Sequence, residues 1–298
     1  MGVYLEKNDD KTELAGPLLK IAGVSLFDAY RFCDDFEGEP KLYSVWKIVT
    51  DGGVFVLKKP EDEESYSAEI EHYRLLKGLP APEFLGAADG YVLTRFAEGE
   101  DLKTASDGGV TAAARSLAAI MNAYPPGRDF PRERYDVYIK RLRRRASSLK
   151  DEPELAAAFR VFLDRQLEIP LTLSNSDLLP INVLFDGERA VIIDWEFGGF
   201  MPYSLDVIRF TAHGCEDGST PFYMTEAHKK LFHDTVYGLL ETRPDRARYD
   251  RDLLLGELNE CVEMLEWYFN DPTAERDGVF RYYYERARAL AKRITGER

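Results

Sequence analysis

The stretch from residue 173 to 196 gathers side chains that could do chemistry together. Asp177 is followed five residues later by Asn182, and Asp194 closes the apolar run Val191-Ile192-Ile193 before Trp195-Glu196. Aspartate and asparagine are hard oxygen donors of the kind magnesium takes. A carboxylate beside an acceptor hydroxyl suits phosphoryl transfer, which depends chiefly on positioning and charge neutralisation. Residues 183–185 and 190–193 read as two strands separated by Asp186-Gly187. Closing that hairpin would bring Asp194 back beside Asp177 and Asn182. Each residue alone has a plainer reading, with Asp177 and Asp186 making turns and Asp194 capping a helix.

The elements that must position these groups follow from pattern. Residues 11–26 read as a short helix and connection. Residues 42–49 alternate and are rich in β-formers, Asp51-Gly52-Gly53 is a hairpin turn, and residues 54–58 form the returning strand. A helix is expected over 63–77, stopped by Gly78 and Pro80, and a further strand over 91–96. Beyond Gly99 the pattern is mostly helical, over 111–123, 132–149, 154–167, 225–240, 253–269 and 280–294, with strand character at 171–173. These expectations give an α+β chain with a boundary near Glu98-Gly99-Glu100, separating residues 1–98 from 99–298. No repeat or low-complexity linker interrupts it.

Composition narrows the function classes. The chain has 298 residues, 45% of them hydrophobic and 31% charged, with 39 basic against 53 acidic side chains and a net charge of -14. That surface repels nucleic-acid phosphates, so no nucleic-acid partner is expected. It could attract a cationic substrate, although solubility alone explains the same charge. Cys33, Cys215 and Cys261 are widely spaced and form no metal-ligand pattern, which argues against disulfides and zinc. No apolar run is long enough to cross a bilayer, and the first residues lack a signal-peptide or myristoylation pattern. A cytoplasmic protein with no membrane partner is expected.

The segment 173–196 resembles the catalytic loop and metal-binding segment of the aminoglycoside phosphotransferase and choline kinase superfamily, relatives of the protein kinases. The resemblance implies a bilobal protein-kinase-like fold, with a small, mainly antiparallel β nucleotide-binding lobe and a larger helical lobe. It implies Asp177 as catalytic base, and Asn182 and Asp194 as magnesium ligands. Asp206, in Ser204-Leu205-Asp206-Val207, corresponds to a residue that steadies the catalytic loop. In the first lobe, Lys58 stands where the family places the lysine for the α- and β-phosphates, and Glu69 where it places that lysine's helix partner. Lys59 and Glu71 compete with them by one and two positions. Backbone groups near Arg95 and Ala97 correspond to the hinge that receives the nucleotide base, a site that leaves ATP and GTP open.

Two positions depart from the family pattern. Asn175 stands where the family usually has histidine, two residues before Asp177; it keeps a donor and an acceptor but loses the ring. No GxGxxG occurs, and the phosphate-covering turn is expected within residues 37–44, with a single glycine.

The acceptor pocket is expected from Glu216, Asp217, Glu260, Glu263 and Trp267. Glu260, Glu263 and Trp267 recur at helical spacing and can share a face. Carboxylates would suit an amino sugar, and aromatic rings a quaternary ammonium; a solvated acidic face is the plainer reading. The basic run 140–145 reads as a solvated helix face. The implied activity is transfer of the γ-phosphoryl group of ATP or GTP, with Mg2+, to a hydroxyl of a small molecule such as an amino sugar, choline-like amine or related alcohol. The rival is a catalytically weak pseudokinase that binds nucleotide or a protein partner. A protein kinase is disfavoured, because Gly198-Gly199-Phe200-Met201-Pro202 leads straight to Asp206 with no activation segment.

Overall fold

The computed structural model describes residues 4–36, 39–271 and 273–296. Glu37 and Gly38 of the expected phosphate-covering turn therefore lie outside the described residues. The chain divides into two compact units, Met1–Glu98 with Ile193–Gly198, and Gly99–Ile192 with Gly199–Arg298.

The first unit is built on a six-stranded antiparallel sheet. Its strands are β1 (Tyr4–Lys7), β2 (Leu26–Phe36), β3 (Glu39–Thr50), β4 (Gly53–Lys58), β5 (Phe84–Ala88) and β6 (Tyr91–Arg95), in the spatial order β1-β2-β3-β4-β6-β5. Leu14 and Leu18 of α1 (Thr12–Ala22) join Ala29, Trp46, Ile48, Phe55, Leu57, Tyr91 and Leu93 in one buried cluster. The β3–β4 hairpin leaves its turn at Gly53, whose φ of +126° excludes ordinary side chains. Thr50 pairs with Gly53, so Asp51 and Gly52 alone form the turn and the returning strand starts one residue earlier than expected.

The α2 helix (Glu63–Leu75) starts where Asp62 accepts a hydrogen bond from the Ser65 amide at 2.7 Å. It ends two residues earlier than its sequence pattern suggests. Strands β1, β2 and β5 had no sequence signal strong enough to place them. In β2 Ala29 and Cys33 are fully buried, both small, and a bulge between Arg31 and Cys33 breaks the alternation on which strand reading depends.

The second unit is mainly helical, comprising α3 (Asp107–Ala123), α4 (Glu133–Ser148), α5 (Pro153–Gln166), α6 (Leu205–Ala212), α7 (Glu226–Leu239), α8 (Arg246–Asn270) and α9 (Gly278–Thr295). One apolar cluster, including Leu142, Phe159, Phe162, Leu258, Leu265, Tyr283 and Leu290, binds α4, α5, α8 and α9 together. The α8 helix begins seven residues before the expected position, because Asp245 caps it through the Arg248 amide at 3.0 Å.

Short strands frame the loop of interest: β7 (Glu100–Asp101), β8 (Leu171–Ser174), β9 (Val183–Phe185), β10 (Ala190–Ile192) and β11 (Gly199–Pro202), with β12 (Gly214–Cys215) and β13 (Phe222–Tyr223) beyond. β9 pairs with β10 and β7, and β8 with β11. Leu173, Leu178 and Val183 are essentially fully buried, each stabilising the loop by about 1.5–3 kcal/mol. Gly99 is required where the chain enters this unit. Its φ is +134°, and a Cβ there would sit 2.8 Å from the Phe185 backbone.

Candidate active site

In the first unit the chemistry gathers around one amine. β4 ends at Lys58, whose Nζ lies 2.7 Å from Asp194 Oδ1, 2.9 Å from Glu196 Oε2 and 3.2 Å from Glu69 Oε2. Burial opposes the ammonium's charge, but Asp194, Glu69 and Glu196 outweigh it and hold the lysine above its ordinary pKa. Glu69 is buried on α2, and that burial pushes its carboxyl up to about 7 although Lys58 pulls the other way. Its Oε2 forms no well-aligned hydrogen bond, so the 3.2 Å contact is an ion pair only.

The neighbouring candidates lie elsewhere: Lys59 pairs with Glu13 of α1 at 2.7 Å, and Glu71 is exposed. Asp194 sits at φ +59°, a conformation non-glycine residues rarely adopt and one that clusters at functional sites. His72 Nδ1 lies 2.9 Å from the Trp195 carbonyl and tethers this segment to α2. At the end of β6, the Arg95 amide bonds the Glu83 carbonyl at 2.9 Å and its guanidinium the Glu83 carboxylate at 2.7 Å; Ala97 follows, half-buried.

In the second unit the loop after β8 is gripped from α6. The Asp206 carboxylate accepts from Ser174 Oγ at 2.8 Å and from the amides of Asn175 and Ser176 at 2.7 and 2.9 Å. Burial raises the Asp206 carboxyl to about 6, against the pull of those three donors. Ser176, at φ +66°, turns the chain so that Asp177 follows. Asn175 is fully buried, and its Oδ1 accepts the Asp177 amide at 3.2 Å. Asn182 donates from Nδ2 to the Asp177 carbonyl at 2.7 Å, which leaves its side-chain oxygen as the atom able to ligate a cation.

Arg209, a residue the sequence reading did not single out, lies against Asp177. Its Nη2 and Nε stand 2.9 and 3.3 Å from Asp177 Oδ1, and its Nη1 is 2.6 Å from Glu260 Oε2 and 3.5 Å from Glu263. Sequence offered one signal: Arg209 follows Asp206 by three residues, one turn of the same helix.

The expected acceptor residues are dispersed in character. Glu260 is 1% exposed; burial works against its charge, but Arg209 and His213 hold its carboxyl down at about 2. Glu263 pairs with Arg145 at 3.1 Å as well as with Arg209. Trp267 is 60% exposed and meets Tyr268 edge-on. Glu216 and Asp217 are exposed on the loop before β13, and hydrogen bonds from Ser219 lower the Asp217 carboxyl to about 2.

Among the described residues, no group of three or more His, Cys, Asp or Glu could hold a metal ion by itself. Magnesium needs no such group, since it takes one or two protein oxygens and completes its shell with phosphates and water. The three cysteines are buried and unpaired. No described helix is long and apolar enough to cross a membrane.

Solved structures share this architecture over nearly the whole chain. Macrolide 2'-phosphotransferase MphH from Brachybacterium faecium matches with a TM-score of 0.61 at 14% identity, covering 95% of this chain and 98% of that one. Choline kinase LicA from Streptococcus pneumoniae matches at 0.59 and 14%, covering 93% and 97%. The streptomycin–ATP complex of APH(2")-IIa matches at 0.58 and 12%, covering 96% and 98%. The fold is therefore α+β and protein-kinase-like. No curated protein matches the sequence. The model of the phosphotransferase enzyme family matches residues 42–248, and the chain belongs to that family.

Proposed function

We propose that the chain is a small-molecule kinase that moves the γ-phosphoryl group of ATP or GTP to a hydroxyl of its acceptor. The observation that best supports this is the loop 174–182. Asp206 gathers its backbone, Asn175 and Asn182 hold the main chain of Asp177, and the Asp177 carboxylate stands on a half-buried guanidinium. Such pre-organisation supplies what phosphoryl transfer needs, a fixed oxygen beside the attacking hydroxyl.

In the step proposed, the acceptor oxygen bonds to the γ-phosphorus while the bond to the nucleoside diphosphate oxygen breaks. The hydroxyl proton passes to Asp177 and then to solvent. Lys58, kept charged among its three carboxylates, would take the α- and β-phosphates, with Glu69 holding the lysine in place. Backbone groups near Arg95 and Ala97 would receive the base. Magnesium, held by Asn182 and Asp194, would neutralise charge on the phosphates.

The similar structures are named for macrolide, choline and streptomycin ligands or substrates, so the acceptor panel spans those chemistries. Glu260 is committed to Arg209 and His213, and Glu263 to Arg145 and Arg209. A cationic acceptor would therefore rely on Trp267 or the exposed Glu216 and Asp217. The test is transfer of labelled γ-phosphate from Mg-ATP and Mg-GTP to amino sugars, a macrolide, choline, ethanolamine and simple polyols. Phosphorylation of at least one hydroxyl compound is expected. Nucleotide binding without transfer to any acceptor or to water would leave the pseudokinase reading.

A further inference from the structure

One turn of α6 grips the loop twice, and the second grip has no assigned role. Asp206 holds the Ser174 hydroxyl and the amides of Asn175 and Ser176, and Arg209, three residues on, holds the side chain of Asp177. Two of the three guanidinium nitrogens approach the same carboxylate oxygen, Oδ1, which fixes how the Asp177 carboxylate is rotated. The third, Nη1, bonds Glu260.

Glu260 is in turn immobilised. His213 Nε2 lies 3.1 Å from its Oε2, Asn259 Nδ2 donates to its Oε1 at 3.3 Å, and His213 Nδ1 meets the Tyr283 hydroxyl at 2.9 Å. A planar fork anchored at one end on a buried carboxylate delivers its other end in a fixed place. We propose that Arg209 is a positioning residue for the reaction, aimed by Glu260 and His213 so that it presents the Asp177 carboxylate to the acceptor hydroxyl.

The proposal rests on reading Asp177 as the acceptor-side base. Arg209 does not touch the acceptor in this account; it acts through Asp177. Lysine at this position keeps the positive charge between Glu260 and Glu263, but one ammonium cannot serve Asp177 with two nitrogens and Glu260 with a third.

The test compares wild type, Arg209→Lys, Asp177→Asn and the double variant, each as the full chain. The probes are Mg-ATP with the fastest acceptor of the panel, and Mg-ATP with water alone. Arg209→Lys should lower kcat about a hundredfold, the scale of a small misplacement of a catalytic group, and leave the nucleotide KM within about twofold. The double variant should be no slower than Asp177→Asn, because residues acting as a unit are not additive.

Near-wild-type kcat in Arg209→Lys, or losses that multiply in the double variant, would overturn the positioning role while leaving the base reading intact. Normal turnover in Asp177→Asn would remove the base reading instead. Wild type silent with both probes would remove both. Should Arg209→Lys fail to fold, Glu260→Gln decides, since it releases the anchor and keeps the arginine. A fall in kcat at unchanged nucleotide KM is then expected, and unchanged kcat overturns the proposal.

Discussion

Each unit holds one basic side chain among three carboxylates, and the two clusters differ in how firmly they hold. Lys58 faces Glu69, Asp194 and Glu196; Arg209 faces Asp177, Glu260 and Glu263. Burial does not separate them, since the two basic side chains are 17% and 18% exposed and each cluster has one carboxylate at 2%. Donor supply does. Glu260 receives Arg209, His213 and Asn259, and its carboxyl is held at about 2. Glu69 Oε2 meets only a poorly aligned ammonium among the described residues, and burial lifts the carboxyl to about 7.

An ammonium is a point charge that can change partners by a bond rotation, whereas a guanidinium fork is satisfied in one plane. Under the proposed function, the Lys58 cluster would rearrange when phosphates arrive, and the Arg209 cluster would stay as it is. Phosphoryl transfer needs both, an exchangeable cation for the nucleotide and a fixed carboxylate for the acceptor.

Breaking the exchangeable cluster should show first in nucleotide binding. Asp194→Ala removes the nearest Lys58 partner and a proposed magnesium ligand, so Mg-nucleotide affinity by calorimetry should fall at least about tenfold, the lower range seen even for groups that only support a metal ligand. Wild-type affinity in that variant would take Asp194 out of the metal role and leave Lys58 as an ordinary ion-paired lysine.

A smaller effect should sharpen the fixed side. Asn175 Oδ1 accepts the Asp177 amide, a contact that would serve the supporting role proposed for this position. Asn175→His should change single-turnover transfer by about tenfold or less, near 1.4 kcal/mol in barrier. Silence in wild type beside clear activity in Asn175→His would mean that the loop lost its function at this residue.

The sequence made the loop legible because Asp177, Asn182, Asp194 and Asp206 follow one another at short, ordered spacing, and strands β3 and β4 because a glycine turn separates two β-rich runs. Strand β2 was hidden because Ala29 and Cys33 carry its buried face. Arg209 was hidden for another reason: its partners lie 32 and 51 residues away, and its place one turn after Asp206 does not show that it bridges a loop to a distant helix. The same blindness made Glu260 and Glu263 look like a free acidic face. Helical spacing shows which residues share a side of α8, but not that guanidinium groups already occupy it.

The central claim is that Asp177 receives the acceptor hydroxyl, and single-turnover phosphate transfer by Asp177→Asn beside wild type tests it most directly. Transfer should fall by roughly two to four orders of magnitude while Mg-nucleotide affinity, measured on the same preparations, changes little. Near-normal transfer in Asp177→Asn would contradict the account.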